Sequence, residues 1–273
     1  MTHQRDNNLV EFYKNYHALK FERRGKVLIV TMDNPPLNAA SPQLHEELSY
    51  VFYDIARDPD CSVVVLTGAG RAFSAGGDIE LMNQNLDNAD WHTSFFRRGP
   101  FVIHGLLNLD KVIIARINGP AMGFGASVAL LCDLTIANET AKIADPHVLM
   151  GISAGDGGSF IWPQHIGFAR AKWYLLTGEA IPAPEAVKIG LINKAVPADQ
   201  LDTVVDELSD RLANGPGIAL TTTKRSINML LRKQAEGVIE AHLGMEMWSV
   251  FTNDHKAAVR AFLAKQKPEF EGR

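Results

Sequence analysis

Apolar residues in this chain follow two regimes: short runs between glycine-rich turns in the first half, and helix-spaced repeats towards the end. Residues 17–23 and 26–32 alternate and gather β-branched side chains around Arg24-Gly25, which predicts the two strands of a hairpin. Ser41 followed by Pro42 reads as a helix start. Leu44, Leu48, Val51, Phe52 and Ile55 then recur at helical spacing until Arg57-Asp58-Pro59 stops the run. The continuous apolar runs at 61–66 and 112–117 predict strands buried on both faces of a parallel sheet, with a helix-rich insertion between them. A short buried helix is expected at 126–131 and a strand at 134–137. Beyond Gly167 the helical patterns 184–189, 201–213, 218–231 and 237–251 are separated by Gly and Pro, and only 191–196 is strand-like.

This order predicts an α/β fold. Residues 1–16 read as a flexible lead-in, 17–200 as an α/β catalytic core and 201–273 as a helical region suited to oligomerisation. At 273 residues with 46% hydrophobic and 21% charged positions, the chain is an ordinary globular protein with room for a large core. A formal charge of -4 argues against nucleic acid as a partner. The start of the chain has no apolar signal-like stretch, and the most apolar tract, 119–138, is interrupted by glycines, Pro120, Ser127 and Asp133, so no membrane partner and a cytoplasmic location are expected. Cys61 and Cys132 sit within apolar runs and read as buried free thiols.

Candidate chemistry begins with what is missing. Thr67-Gly68-Ala69-Gly70 opens like a dinucleotide-binding turn, but Arg71, Ala72, Phe73 and Ser74 replace the later glycines, and Tyr174 is followed at the Tyr-x-x-x-Lys spacing by Gly178. The nine histidines show no metal-ligand spacing, so no metal is expected. Two glycine-rich turns each follow a buried strand, at 71–79 and 118–125. If they converge, one free backbone N–H from each can point at a single carbonyl oxygen, an oxyanion hole without side chains. The plainer reading is that the glycines allow tight strand-to-helix packing.

The strings AFSAGGDI, ARINGPAMGFGASVALLCDLTIA, DPHVLMGISAGDGG, LLTGEAIPAPEAVKIGLINKAVP and FLAKQKPEFEG, in that order, resemble the crotonase (enoyl-CoA hydratase/isomerase) superfamily. The resemblance runs from about residue 17 to the end and implies a spiral of ββα units, a helical C-terminal trimerisation region, and a homotrimer or dimer of trimers. It implies that the amides of Gly77 and Phe124 hold the oxyanion of an acyl-CoA substrate, coenzyme A being part of the thioester and no cofactor being permanently bound. Leu37, Ala39, Ala75, Gly76, Asp78 and Ile79 fall where the family lines the CoA path. Phe262 and Lys265 match C-terminal residues that reach a neighbouring subunit's CoA, the plainer reading of Lys265 being a solvated last-turn lysine.

The family's two glutamates map onto Ser127 and His147, so glutamate-dependent hydration does not carry over. A loop returning Asp156 onto the His147 imidazole would fix its tautomer and leave the other nitrogen as a base near neutral pH. The tract PHVLMGISAGDGGSFIWP, with His45 in the first helix, is similar to 6-oxocamphor hydrolase, a crotonase relative that cleaves a carbon–carbon bond in a β-diketone, and this gives roles to His147, Asp156 and His45. Plainer readings stand beside these: a satisfied loop histidine, a turn-forming aspartate, a solvated His45, and Ser127 as a small residue behind the hole. Three functions fit these residues. They are an enoyl-CoA hydratase/isomerase-like enzyme with His147 and Asp156 in place of the glutamates, a C–C hydrolase of a β-diketone or ketone with His147 activating water, and a non-catalytic acyl-CoA binder.

Overall fold

The computed structural model of the protein describes residues 11–273. Its elements, in chain order, are β1 (Leu19–Arg24), β2 (Val27–Met32), α1 (Pro42–Ala56), β3 (Val63–Gly68), α2 (Ile79–Gln84), α3 (Ala89–Asn108), β4 (Val112–Ile117), β5 (Ala121–Met122) and α4 (Phe124–Leu130). There follow β6 (Leu134–Asn138), β7 (Lys142–Ala144), α5 (Gly158–Thr177), β8 (Ile181–Pro182), α6 (Ala183–Lys188), β9 (Lys194–Val196), α7 (Leu201–Ala213), α8 (Gly217–Val250) and α9 (Asn253–Leu263). Ser41 caps α1, its side chain accepting from the Leu44 amide, as the Ser-Pro start implies. Cys61 and Cys132 are buried free thiols.

The main sheet runs β1-β2-β3-β4-β6-β9, antiparallel only at the β1–β2 hairpin, and a small second sheet pairs β5, β7 and β8. Because its parallel strands are covered on both sides, they read as continuous apolar runs, and β3 is buried at every position. One face packs on α1, α3 and the buried α4 in a core that includes Leu48, Phe52, Leu66, Ile103 and Ala126. The other face is closed by α7, whose Leu201, Val205 and Ala213 meet Val63, Val65, Ile114 and Ile136. The helix placed by pattern at the start of the C-terminal region is therefore part of the sheet's own core. Among the described residues, no helix is long and apolar enough to cross a membrane.

Two expectations need correction. The lead-in of residues 1–16 is anchored from Glu11 onward: a 3₁₀ turn over Glu11–Asn15 buries Tyr13, whose hydroxyl donates to Asp58 at 2.9 Å, and the Tyr16 hydroxyl donates to Asp54 at 2.7 Å. Residues 1–10 lie outside the described residues. The break expected between 231 and 237 is absent, because α8 runs unbroken for 34 residues through Gly237. An interior glycine costs about 1 kcal/mol against alanine, and the burial of Ala235, Ile239 and Leu243 on the adjoining turns outweighs it.

The two glycine-rich turns meet. The amides of Phe73 and Ser74 donate to the Pro120 carbonyl at 3.0 and 3.2 Å, and the Met122 amide donates to the Ser74 carbonyl at 3.0 Å. A Cβ at Gly119 would lie 2.1 Å from the Arg71 carbonyl oxygen, and one at Gly125 would lie 2.5 Å from Ser74 Cβ. These glycines permit the contact itself, so they serve tight packing, and the two turns do converge.

Candidate active site

Gly77 and Phe124, one from each turn, line the same pocket of ≈ 700 Å³, its open mouth included. Neither amide has a protein acceptor among the described residues. Phe124 is the first residue of α4, where the chain geometry leaves N–H groups unpaired, and Gly77 lies between the β3 turn and α2. The neighbouring segments are held by the chain at 37–40: the Ala75 amide donates to the Leu37 carbonyl at 3.0 Å and the Ala40 amide to the Gly76 carbonyl at 2.7 Å.

His147 begins a one-turn 3₁₀ segment, His147–Met150, just after β7. Its Nδ1 is 2.5 Å from Asp145 Oδ1 and its Nε2 is 3.4 Å from Asp156 Oδ2. The Ser127 hydroxyl donates to Asp156 Oδ1 at 3.3 Å, and Ser127 itself is fully buried in α4. A Cβ on Gly123 would come 3.2 Å from His147 Cε1, so the ring lies against the residue that precedes the Phe124 amide. Burial opposes a charge on His147, but the carboxylates of Asp145 and then Asp156 outweigh it and hold its pKa well above the ordinary histidine value. The expected arrangement, with one nitrogen oriented and the other free as a neutral base, is therefore corrected: both nitrogens face carboxylates, which favours the protonated ring.

Glu246 of α8 completes the cluster. It is buried, its Oε2 has no hydrogen-bond partner, and it lines the same pocket. Burial, reinforced by the charge of Asp156, holds its carboxyl well above the usual carboxylate range. His45 is also in the pocket wall, its ring 4.9 Å from that of Phe95 and 5.0 Å from that of Phe124. It is 5% exposed, which overturns the solvated reading. Burial lowers its pKa to about 4, so it is neutral. The remaining wall is largely apolar, with Met82, Trp91, Phe95, Phe96, Leu243 and Val250 among its residues.

Of the expected binding residues, Asp78 lines the pocket, and its carboxylate caps α2 by accepting from the Leu81 amide at 3.0 Å. Leu37, Ala39, Ala75, Gly76 and Ile79 belong to the segments flanking Gly77 rather than to the wall itself. Phe262, 58% exposed, and Lys265 lie on the outer surface beyond the pocket. Asp145, His147 and Asp156 offer ligand atoms within 4.8 Å of one another, a separation that could hold a metal ion. In this arrangement each imidazole nitrogen faces one of the two carboxylates.

The doubly covered parallel sheet, the paired glycine turns, and a pocket joining free amides to buried acid/base groups define an enzyme of the crotonase fold. The sequence model of the family described as "Enoyl-CoA hydratase/isomerase" matches residues 22–273. A short-chain-enoyl-CoA hydratase of Clostridium acetobutylicum is 34% identical over 91% of this chain and 95% of its own. Among solved structures, an enoyl-CoA hydratase/isomerase from Mycobacterium paratuberculosis superposes with TM-score 0.85 at 34% identity, covering 89% of this chain and 97% of that one. A beta-diketone hydrolase from the cyanobacterium Anabaena gives TM-score 0.82 at 28% identity, covering 89% of this chain and 98% of that one. The chain thus belongs to the enoyl-CoA hydratase/isomerase family.

Proposed function

We propose that the protein adds water to an enoyl-CoA-type thioester, with Asp156 and His147 dividing the work that two glutamates do elsewhere in the family. The observation that carries this is the His147 ring held between Asp145 and Asp156 against Gly123, in the pocket lined by Gly77 and Phe124. The thioester oxygen accepts from the Gly77 and Phe124 amides. Asp156, steadied by Ser127, takes a proton from water as its oxygen bonds to the β-carbon. The electron pair moves onto the carbonyl oxygen, giving an enolate that the two amides stabilise by about 3 kcal/mol per donor. His147 then delivers its Nε2 proton to the α-carbon. Asp156, 3.4 Å away, returns the proton it took, and both groups are reset.

The likeness to a beta-diketone hydrolase favours a second reading with the same groups. Here water, activated by Asp156 rather than by a neutral His147, attacks a ketone carbonyl, the adjacent carbon–carbon bond breaks, and His147 protonates the released enolate. Turnover of crotonyl-CoA and of 1,3-cyclohexanedione in oxygen-18 water separates the two. Hydration puts the label in a hydroxyl group, whereas C–C hydrolysis puts it in a new carboxyl group. Binding of both with turnover of neither would leave the non-catalytic binder and sink both mechanisms.

The homotrimer or dimer of trimers is part of this proposal. It is supported by the exposed Ile227, Leu230, Met245 and Trp248 along α8, too much apolar surface to suit a lone subunit. A sedimentation mass three or six times that of one chain is expected, and a mass of one chain would contradict it.

A further inference from the structure

The pocket follows the seam between α3 and α8, and its wall stops at the same level on both helices. On α3 the lining residues include Trp91, Phe95 and Gly99, and on α8 Val250, Glu246 and Leu243. Each set has helical spacing and so forms one face of its helix. The seam continues past Gly99 and Leu243, but Ile103 and Ile239, one turn further on each helix, are buried in the main core and not in the pocket wall. Further still, the Asn228 side chain donates to the Leu107 carbonyl at 3.0 Å and keeps the two helices joined. The pocket therefore ends where Gly99 meets Leu243.

That meeting is close. A Cβ on Gly99 would lie 3.0 Å from Leu243 Cδ2 and 3.1 Å from Cδ1, so the room for a side chain at 99 is already held by the Leu243 methyls. Glycine weakens a helix interior relative to alanine, and Gly99 has no positive φ that would call for it. What the position uses is the missing side chain. We infer that Gly99 and Leu243 together set the length of the acyl group this pocket takes. This rests on the reading that the Gly77 and Phe124 amides hold the substrate's carbonyl and that its acyl part enters the seam. From Trp91 to Gly99, α3 spans about 12 Å, which suits a short apolar acyl group, and a longer one runs into the Leu243 methyls. Removing the Leu243 isobutyl group opens the seam towards Ile103 and Ile239, whereas a methyl added at 99 shortens it.

The test reads kcat/KM on the full-length protein along the series crotonyl-, trans-2-hexenoyl- and trans-2-octenoyl-CoA. Leu243→Ala is expected to raise the octenoyl-to-crotonyl ratio about tenfold or more, since each methylene of pocket carries at least that much discrimination. Gly99→Ala is expected to lower the hexenoyl-to-crotonyl ratio, and its better helix propensity helps it to fold. Gly99→Ala/Leu243→Ala, which adds carbon on one side of the seam and removes it on the other, should bring both ratios back towards the wild type. A wild type that prefers octenoyl-CoA to crotonyl-CoA overturns the inference, as does an unchanged ratio in Leu243→Ala. Where Leu243→Ala does not fold, Gly99→Ala decides, and a hexenoyl-to-crotonyl ratio that stays or rises there overturns it too. The same length preference is read without CoA from the affinities of 2-octanone and 2-butanone. If no thioester is turned over while the ketone preference shifts in the variants as stated, the hydration reading fails and this inference stands. With no shift in either assay, including no binding of either ketone, the inference fails.

Discussion

Replacing His147 by alanine is expected to lower kcat by about 10²–10⁴-fold, the usual contribution of one positioned acid or base. KM for the thioester should change little, because the amides of Gly77 and Phe124 and the apolar wall remain. The expectation follows from where the ring lies: it is the cation between Asp145 and Asp156, so its loss removes the proton for the α-carbon and leaves two buried or half-buried carboxylates facing each other. The variant should therefore also melt earlier than the wild type, and steady-state kinetics with a thermal melt reads both effects. A variant retaining wild-type kcat on the true substrate would rule His147 out as the proton donor.

The elements legible in the sequence are those whose pattern is set by their own burial. Continuous apolar runs gave β3 and β4, and the 3.6-residue repeat gave α1 and α7. The helical span α5 was hidden because it is two shorter stretches meeting at a kink: Pro163 lies in the first, and Gly167, at φ 74° and ψ 161°, is not helical. The second sheet has strands of two or three residues, too short to carry a period. At the site, the motif strings contained every residue within a few positions of a glycine turn, including Asp145. In sequence, however, nothing marks Asp145 as a partner of His147, and only the folded chain lays its carboxylate on Nδ1. Glu246 had a usable signal: it falls on the stripe of Ile239, Leu243 and Val250, and a carboxylate on the buried face of an amphipathic helix calls for a function. His92 and His255, 163 positions apart, likewise become neighbours of one pocket only in the folded chain.

The second large effect concerns pH. The His147 pKa in the fold is held well above its ordinary 6.5, so a reaction that needs the imidazolium should keep its rate through pH 6.5 and lose it only at higher pH. Asp145→Asn removes the leading charge that raises this pKa and should move the alkaline limb downward. Asp156→Asn should do the same and also cut kcat about 10²–10⁴-fold, since that carboxylate is the proposed base. A wild-type limb already at 6.5, or one unmoved by Asp145→Asn, would refute the proton-donor role. Stability follows the same sign: with its folded-state pKa raised, His147 contributes stability that is fully present below about 6.5 and lost as pH rises through the folded value. Glu246 behaves likewise from a lower start, because its raised carboxyl costs nothing below about 4.5 and weakens the fold as pH climbs above that. Glu246→Gln stays neutral throughout. It should match the wild type in acid and exceed it by about 0.5–2 kcal/mol at alkaline pH, read as a gap between the two melting curves that widens with pH. A gap that is constant across pH would mean that Glu246 does not titrate differently in the fold. The pocket would then keep its proton economy in the Asp145–His147–Asp156 triplet alone.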